Sequence, residues 1–158
     1  MRVVDTESFT PETELESYLK WVINEVPIRP WWMPEGEVYF MDHVSGIVVH
    51  RHGQFQTQLF IAEPNAKSPP HTHPNVDSFE VGLYGMNLNH TGNDIPASIT
   101  MAGVAIYVDH EDVHGGCAGE KGGAFLSVQQ WLNDVPPTCV ANDWKGEPMG
   151  PIHAEQIQ

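Results

Sequence analysis

The chain has 158 residues, a length that suits one domain with a single core, and no apolar run in it approaches the roughly 18 residues that a membrane-spanning helix needs. A formal net charge of −14 argues against nucleic acid or an anionic membrane as partner, because such surfaces are bound chiefly by neutralising phosphates with Lys and Arg. The opening MRVVDTESFTPE shows neither the basic leader nor the apolar stretch of a secretory signal, so a soluble, cytoplasmic protein is expected.

Residues 11–26, PETELESYLKWVINEV, place Leu15, Tyr18, Leu19, Val22 and Val26 at helical spacing with acids in the first turn. Thr10 is the expected cap, Pro11 suits the first helical position, and Pro27 ends the helix. The segment PIRPWWMPEGE that follows holds three prolines and reads as an extended linker anchored by Trp31 and Trp32. Residues 1–36 thus form an N-terminal helix and linker.

From Glu37 the pattern changes to short runs rich in β-branched and aromatic residues: EVYFMD, SGIVVHRH, QFQTQLFIAE, DSFEVGLYG, ITMAGVAIYVD and AFLSVQQWLN. In the third run Phe55, Thr57, Leu59 and Ile61 alternate with Gln54, Gln56 and Gln58, so one face is apolar and the other carries amides. Many short strands without interleaved helices predict an all-β barrel or sandwich over residues 37–134. Residues 135–158 have no sustained period and read as a C-terminal arm, lying over the barrel or over a neighbouring subunit. Cys117 and Cys139 are too few for a disulfide framework and lack zinc-finger spacing, so both read as ordinary small residues.

Within SPPHTHPNVDSFEVGLYG, His71 and His73 stand one residue apart, and on a strand that spacing puts both imidazoles on one face, as a metal site needs. Alone, such a pair is as readily a surface feature. The stretch resembles the first cupin motif, G-x5-H-x-H-x(3,4)-E-x6-G, with His71, His73 and Gly85 at its histidines and closing glycine. GVAIYVDHEDVHGGCA is similar to the second motif, G-x5-P-x-G-x2-H-x3-N, through Gly103 and His114. The resemblance implies a double-stranded β-helix, or jelly-roll, barrel. It also implies one divalent transition metal per chain on His71, His73 and His114, with iron first and manganese, nickel, zinc or copper as alternatives.

The departures are specific. Asn65 stands at the first glycine, Asp109, Glu111 and Ala118 replace the second motif's Pro, Gly and Asn, and Ser78 occupies the place of the ligand glutamate. Glu80, two residues on and therefore on the same strand face, is the preferred substitute, as ligand and as catalytic carboxylate; Asp77 would need a bulge. HEDVH, residues 110–114, also fits the H-E-x-x-H string of zinc proteases, but that chemistry needs a helix, and both the strand-like run before it and the glycine pair after it oppose one. His50 and His52 form another H-x-H without a third partner, and His43, His90 and His153 have no motif support. In LSVQQWL either Gln129 or Gln130 faces inward, and an amide there, assigned to Gln129, would bind substrate or water.

Candidate cavity walls are Phe55, Phe60, Phe79, Tyr84, Met86, Tyr107 and Trp131, which suit a small organic substrate. The resemblance then implies a metal-dependent enzyme, a dioxygenase first, with a non-redox isomerase or lyase, or a non-catalytic ligand-binding cupin, as alternatives. It also implies a homodimer, since cupins pair through edge strands and terminal arms.

Overall fold

A computed structural model describes residues 2–26, 39–41, 43–90, 93–94 and 103–141, with backbone alone for 39–41, 89–90, 93–94 and 141. The linker bearing Trp31 and Trp32, residues 37–38 and 99–102 of two expected strands, His153 and the arm beyond residue 141 lie outside the described residues.

The one helix among them, α1 (Glu14–Glu25), begins three residues later than the Thr10–Pro11 reading, because a stronger start signal lies inside it. Thr13 caps the helix: its hydroxyl accepts from the Glu16 amide at 3.1 Å, and the Glu16 carboxylate accepts from the Thr13 amide at 2.9 Å. This reciprocal box satisfies two amides that helix geometry leaves without partners. The same carboxylate, buried, also pairs with Arg2. At the other end Val26, before Pro27, is already extended at φ −91° and ψ 120°. Thr13→Ala is expected to lower the unfolding free energy by about 1 kcal/mol in chemical denaturation.

Among the described residues, twelve strands form two antiparallel sheets. They are β1 (Val3–Asp5), β2 (Tyr39–Met41), β3 (Val44–His52), β4 (Phe55–Ala62), β5 (Lys67–Thr72), β6 (Val76–Tyr84), β7 (Met86–His90), β8 (Asn93–Asp94), β9 (Val104–Val108), β10 (His114–Ala118), β11 (Gly123–Trp131) and β12 (Val140–Ala141). One sheet runs β1-β9-β6-β11-β4-β3-β2 and the other β12-β5-β10-β7-β8. The six expected strand runs are present wherever they are described; β1, β5, β7, β8, β10 and β12 were not expected, being short or rich in Pro and Gly.

Alternation along the strands divides the larger sheet into two unlike faces. Leu59, Ile61, Phe79, Val81, Ala105, Ala124, Leu126 and Val128 pack with Leu15, Tyr18, Leu19 and Val22 of α1 in one apolar cluster. Burying each large aliphatic side chain there stabilises the fold by roughly 1.5–3 kcal/mol. The residues between them, Gln58, Ser78, Glu80, Ser127 and Gln129, turn toward the smaller sheet. The amide face of β4 is therefore interior, with Gln56 and Gln58 each only 1% exposed. The main apolar core thus lies under the helix, while the space between the sheets combines these polar side chains with a second apolar cluster of Val44, Phe60, Ala62, Ala66 and Ala118.

Candidate metal centre

That inner space is a cavity of about 780 Å³, counting its open mouth, and His71, His73 and His114 converge on it. His71 lies near the end of β5, His73 just beyond it, and His114 begins β10 directly opposite His71. Ring centroids are 4.8 Å apart for His71 and His73, 4.4 Å for His71 and His114, and 5.0 Å for His73 and His114. Local backbone needs make this possible. Asn65 adopts φ 61° in the motif's glycine position, and a Cβ on Gly85, at φ 65°, would collide with the Gly122 carbonyl.

Each ring donates its Nδ1 hydrogen to a backbone carbonyl: His71 to Pro69 at 2.6 Å, His73 to Thr138 at 2.8 Å and His114 to Asp112 at 3.1 Å. A carbonyl can only accept, so these bonds fix one tautomer and leave the lone pair on Nε2, the arrangement that orients an imidazole for a metal. Burial lowers the His71 pKa. Burial, with repulsion from His71, lowers that of His73 to about 3, so both are neutral at physiological pH.

Glu80 lines the same cavity, and Asp77 does not. The register of β6 continues without a bulge at this point, and Asp77 on the opposite face accepts from the His110 amide at 3.0 Å and the His110 ring at 2.8 Å. The Glu80 Oε1 atom accepts from Ser78 at 2.8 Å and from Ser127 at 3.0 Å, while Oε2 is buried with no hydrogen-bond partner among the described residues. Burial raises this carboxyl to about 7, against the smaller opposing effect of the two hydroxyls. Ser78, at the position where a ligand glutamate was expected, instead holds the glutamate two residues on.

Gln129, not Gln130, is the inward amide. Its Oε1 accepts from Gln56 at 3.0 Å, and its Nε2 donates to Gln58 at 2.7 Å and Ser127 at 3.1 Å. Both amide hydrogens therefore have protein acceptors.

The structure also places the other candidates. Gly115 and Gly116 continue β10, where a Cβ on Gly115 would sit 2.8 Å from the Ser68 carbonyl. His110 lies in a turn and His114 in a strand, so HEDVH forms no helix and no protease motif. His50 belongs to an aromatic cluster, its Nδ1 3.0 Å from the Tyr18 hydroxyl, and His43 pairs with Glu63 at 2.6 Å. Of the expected wall aromatics Phe60 lines the cavity, as does Met86. Phe55, Phe79 and Tyr107 pack on the helix face, Tyr84 is exposed, and Trp131 lies under Arg51.

Cys139 is the largest surprise. It is fully buried, and its Sγ lies within 4.8 Å of ligand atoms of His71 and His73. The only signal for it was the chain's return to β5 through β12, which a two-residue strand does not announce.

No protein-family model matches the sequence, and no curated protein does. Among solved structures, KdgF from Halomonas sp. matches with a TM-score of 0.53 and 17% identity over 60% of this chain and 84% of that one. A sugar phosphate isomerase of the cupin superfamily from Silicibacter pomeroyi matches with a TM-score of 0.53 and 20% identity, over 75% of this chain and 85% of that one. The DMSP lyase DddQ from Ruegeria pomeroyi matches with a TM-score of 0.51 and 15% identity, over 68% and 56%. Two facing antiparallel sheets, shared in outline with these chains, give this chain the double-stranded β-helix fold of the cupins. Function rests on the site itself.

Three imidazoles with second-nitrogen anchors, in one cavity with a buried carboxyl oxygen that has no hydrogen-bond partner among the described residues, fit a divalent transition metal. Among the described residues, no helix is long and apolar enough to cross a membrane.

Proposed function

We propose that this protein is a metal-dependent enzyme that moves a proton on a small organic molecule, an isomerase or lyase in its chemistry. The observation that carries the reading is the convergence of His71, His73 and His114 on the cavity that also holds Glu80. His71, His73 and His114 hold one metal per chain, with iron first and manganese, nickel, zinc or copper as alternatives. When bound, the metal supplies Lewis-acid polarisation of a substrate oxygen.

Two roles were expected of Glu80, ligand and acid–base group, and its hydrogen bonds support the second. Ser78 and Ser127 occupy Oε1, which leaves Oε2 to take or give the proton. A pKa of about 7 is close to the operating pH, where a general acid–base group transfers protons best. Gln129 acts as a positioning residue: by donating to the Ser127 oxygen it turns the single Ser127 hydrogen toward Glu80.

The cavity wall is apolar over Phe60, Met86, Leu88, Val104, Ile106 and Phe125, and among the described residues that line it none is Lys or Arg. Such a pocket suits a compact substrate that is neutral or carries one acidic group for the metal. An isomerase and a lyase stand among the similar folds, which accords with this reading. The dioxygenase reading is supported by the imidazole-rich donor set, which also serves redox iron.

The test combines two measurements on metal-loaded protein, using a panel of small hydroxy ketones and β-substituted carboxylic acids in D₂O. Deuterium incorporation without oxygen uptake is expected, falling by about 10²–10⁴ in Glu80→Gln while metal content stays constant. Oxygen uptake in step with product would replace this reading with the dioxygenase one.

A further inference from the structure

The smaller sheet carries more donors than the three histidines, and its register says where they go. β5 lies between β10 and β12. On one side His114 stands opposite His71. On the other, Val140 stands opposite Thr72 and Ala141 opposite His71, and one step beyond that ladder the same register would set Cys139 opposite His73. Directly opposed residues of an antiparallel pair share a face. The H-x-H pair is thus flanked on each side by one cross-strand partner, an imidazole from β10 and a thiol from β12.

The approach of Cys139 is held in place by a dedicated fastener. Asn75, which is 7% exposed, donates to the Val135 and Pro136 carbonyls at 3.1 Å each and accepts from the Thr138 amide at 2.9 Å and hydroxyl at 3.1 Å. Thr138 in turn takes the His73 Nδ1 hydrogen. The residue before Cys139 is therefore bonded both to Asn75 and to a histidine of the site. The ligand atoms of His71, His73 and Cys139 lie within 4.8 Å of one another, a spacing that small side-chain rotations bring to bonding distance of one ion.

We infer that Cys139 is a ligand of the metal bound by His71, His73 and His114, making the site a mixed imidazole–thiolate centre closed by the C-terminal strand. The inference rests on the metal-centre reading above. On ligation the sulfur gives an electron pair to the ion, and the thiol proton leaves to solvent. The thiolate then takes the place of the glutamate that Ser78 displaced, which frees Glu80 for proton transfer. A thiolate turns the site away from magnesium, calcium and manganese and toward zinc, iron, cobalt, nickel or copper. Four protein ligands would close a four-coordinate zinc, so turnover requires an ion that accepts five or six ligands.

Cobalt(II) alone, added to chelator-stripped full-length protein, tests this. One bound cobalt per chain by elemental analysis is expected, with a thiolate-to-cobalt charge-transfer band in the near ultraviolet. That band should vanish in Cys139→Ala and persist in Cys117→Ala. X-ray absorption on the zinc-loaded wild type needs no variant and should show a sulfur at about 2.3 Å beside nitrogens at about 2.0 Å. Bound cobalt without the band, a band that survives Cys139→Ala, or a shell of nitrogen and oxygen only would overturn the role of Cys139 and leave the histidine site standing. No bound cobalt at all would overturn both.

Discussion

His71→Ala and His114→Ala should each yield a folded protein that has lost most of its metal. Each substitution removes one of the convergent imidazoles, and the donors left hold a transition ion too weakly to keep it through chelator exposure and buffer exchange. Folding should survive because the apolar cluster that holds α1 to the larger sheet lies on the far side of that sheet from the site. A preformed barrel presents its ligands, and the metal is not its core. The metal-free variants should therefore unfold within about 1 kcal/mol of metal-free wild type. Wild type loaded at about a thousand times its dissociation constant should gain about 4 kcal/mol that neither variant gains. His50→Ala is the control, since His50 is engaged with Tyr18 and Trp21 outside the cavity, and it should keep its metal. Elemental analysis with paired thermal melts decides the matter, and stoichiometric metal in both site variants would refute the assignment.

Glu80→Gln should make the metal-free protein more stable at pH 8, by up to about 3 kcal/mol, and leave it unchanged near pH 4. The Glu80 carboxyl is raised from 4.5 to about 7, principally by burial. A raised acid contributes stability that is fully present below the unfolded value of about 4.5 and is lost as pH climbs through about 7, each tenfold change in proton affinity being worth about 1.4 kcal/mol. Above that range the folded chain must hold a buried charge, and glutamine removes it while keeping an oxygen for Ser78 and Ser127. The buried histidines act with the opposite sign. His71 and His73 are both lowered, so their contribution is present above about 6.5 and fades as pH falls, for His73 through about 3. From these groups metal-free wild type should lose stability steeply on the acid side of about 6.5 and change little above about 7. Denaturant titrations of both proteins across pH isolate the Glu80 effect, because the histidine effect is common to the two. Parallel curves for variant and wild type would show that the carboxyl is not held neutral.

Local pattern carried much of this far. Helical spacing from Leu15 to Val22 located α1, although the Thr13 and Glu16 pair, not Thr10, set its start, because a reciprocal cap satisfies more amides than a lone hydroxyl. Strand alternation placed His71 and His73 on one face and Glu80 on the cavity side of β6, with Asp77 turned away to His110. The resemblance to the second cupin motif, carried by Gly103 and His114, named the third imidazole. Gln129 was legible only as one of two adjacent amides, and its saturated hydrogen bonding appears only when β4 is laid beside β11.

Composition and periodicity are short-range properties, and they sufficed for the strand-rich class, the single helix, the histidine pair and the apolar stripe, since each depends on residues within a turn or a strand of one another. Distance between separated segments is another kind of information. That Gln56 and Gln58 are interior, that Ser78 and Ser127 meet on Glu80, and that Cys139 arrives beside His73 all follow from pairings between strands far apart along the chain. Those pairings are chosen by burial and hydrogen bonding summed over the whole barrel, and no local pattern records that sum.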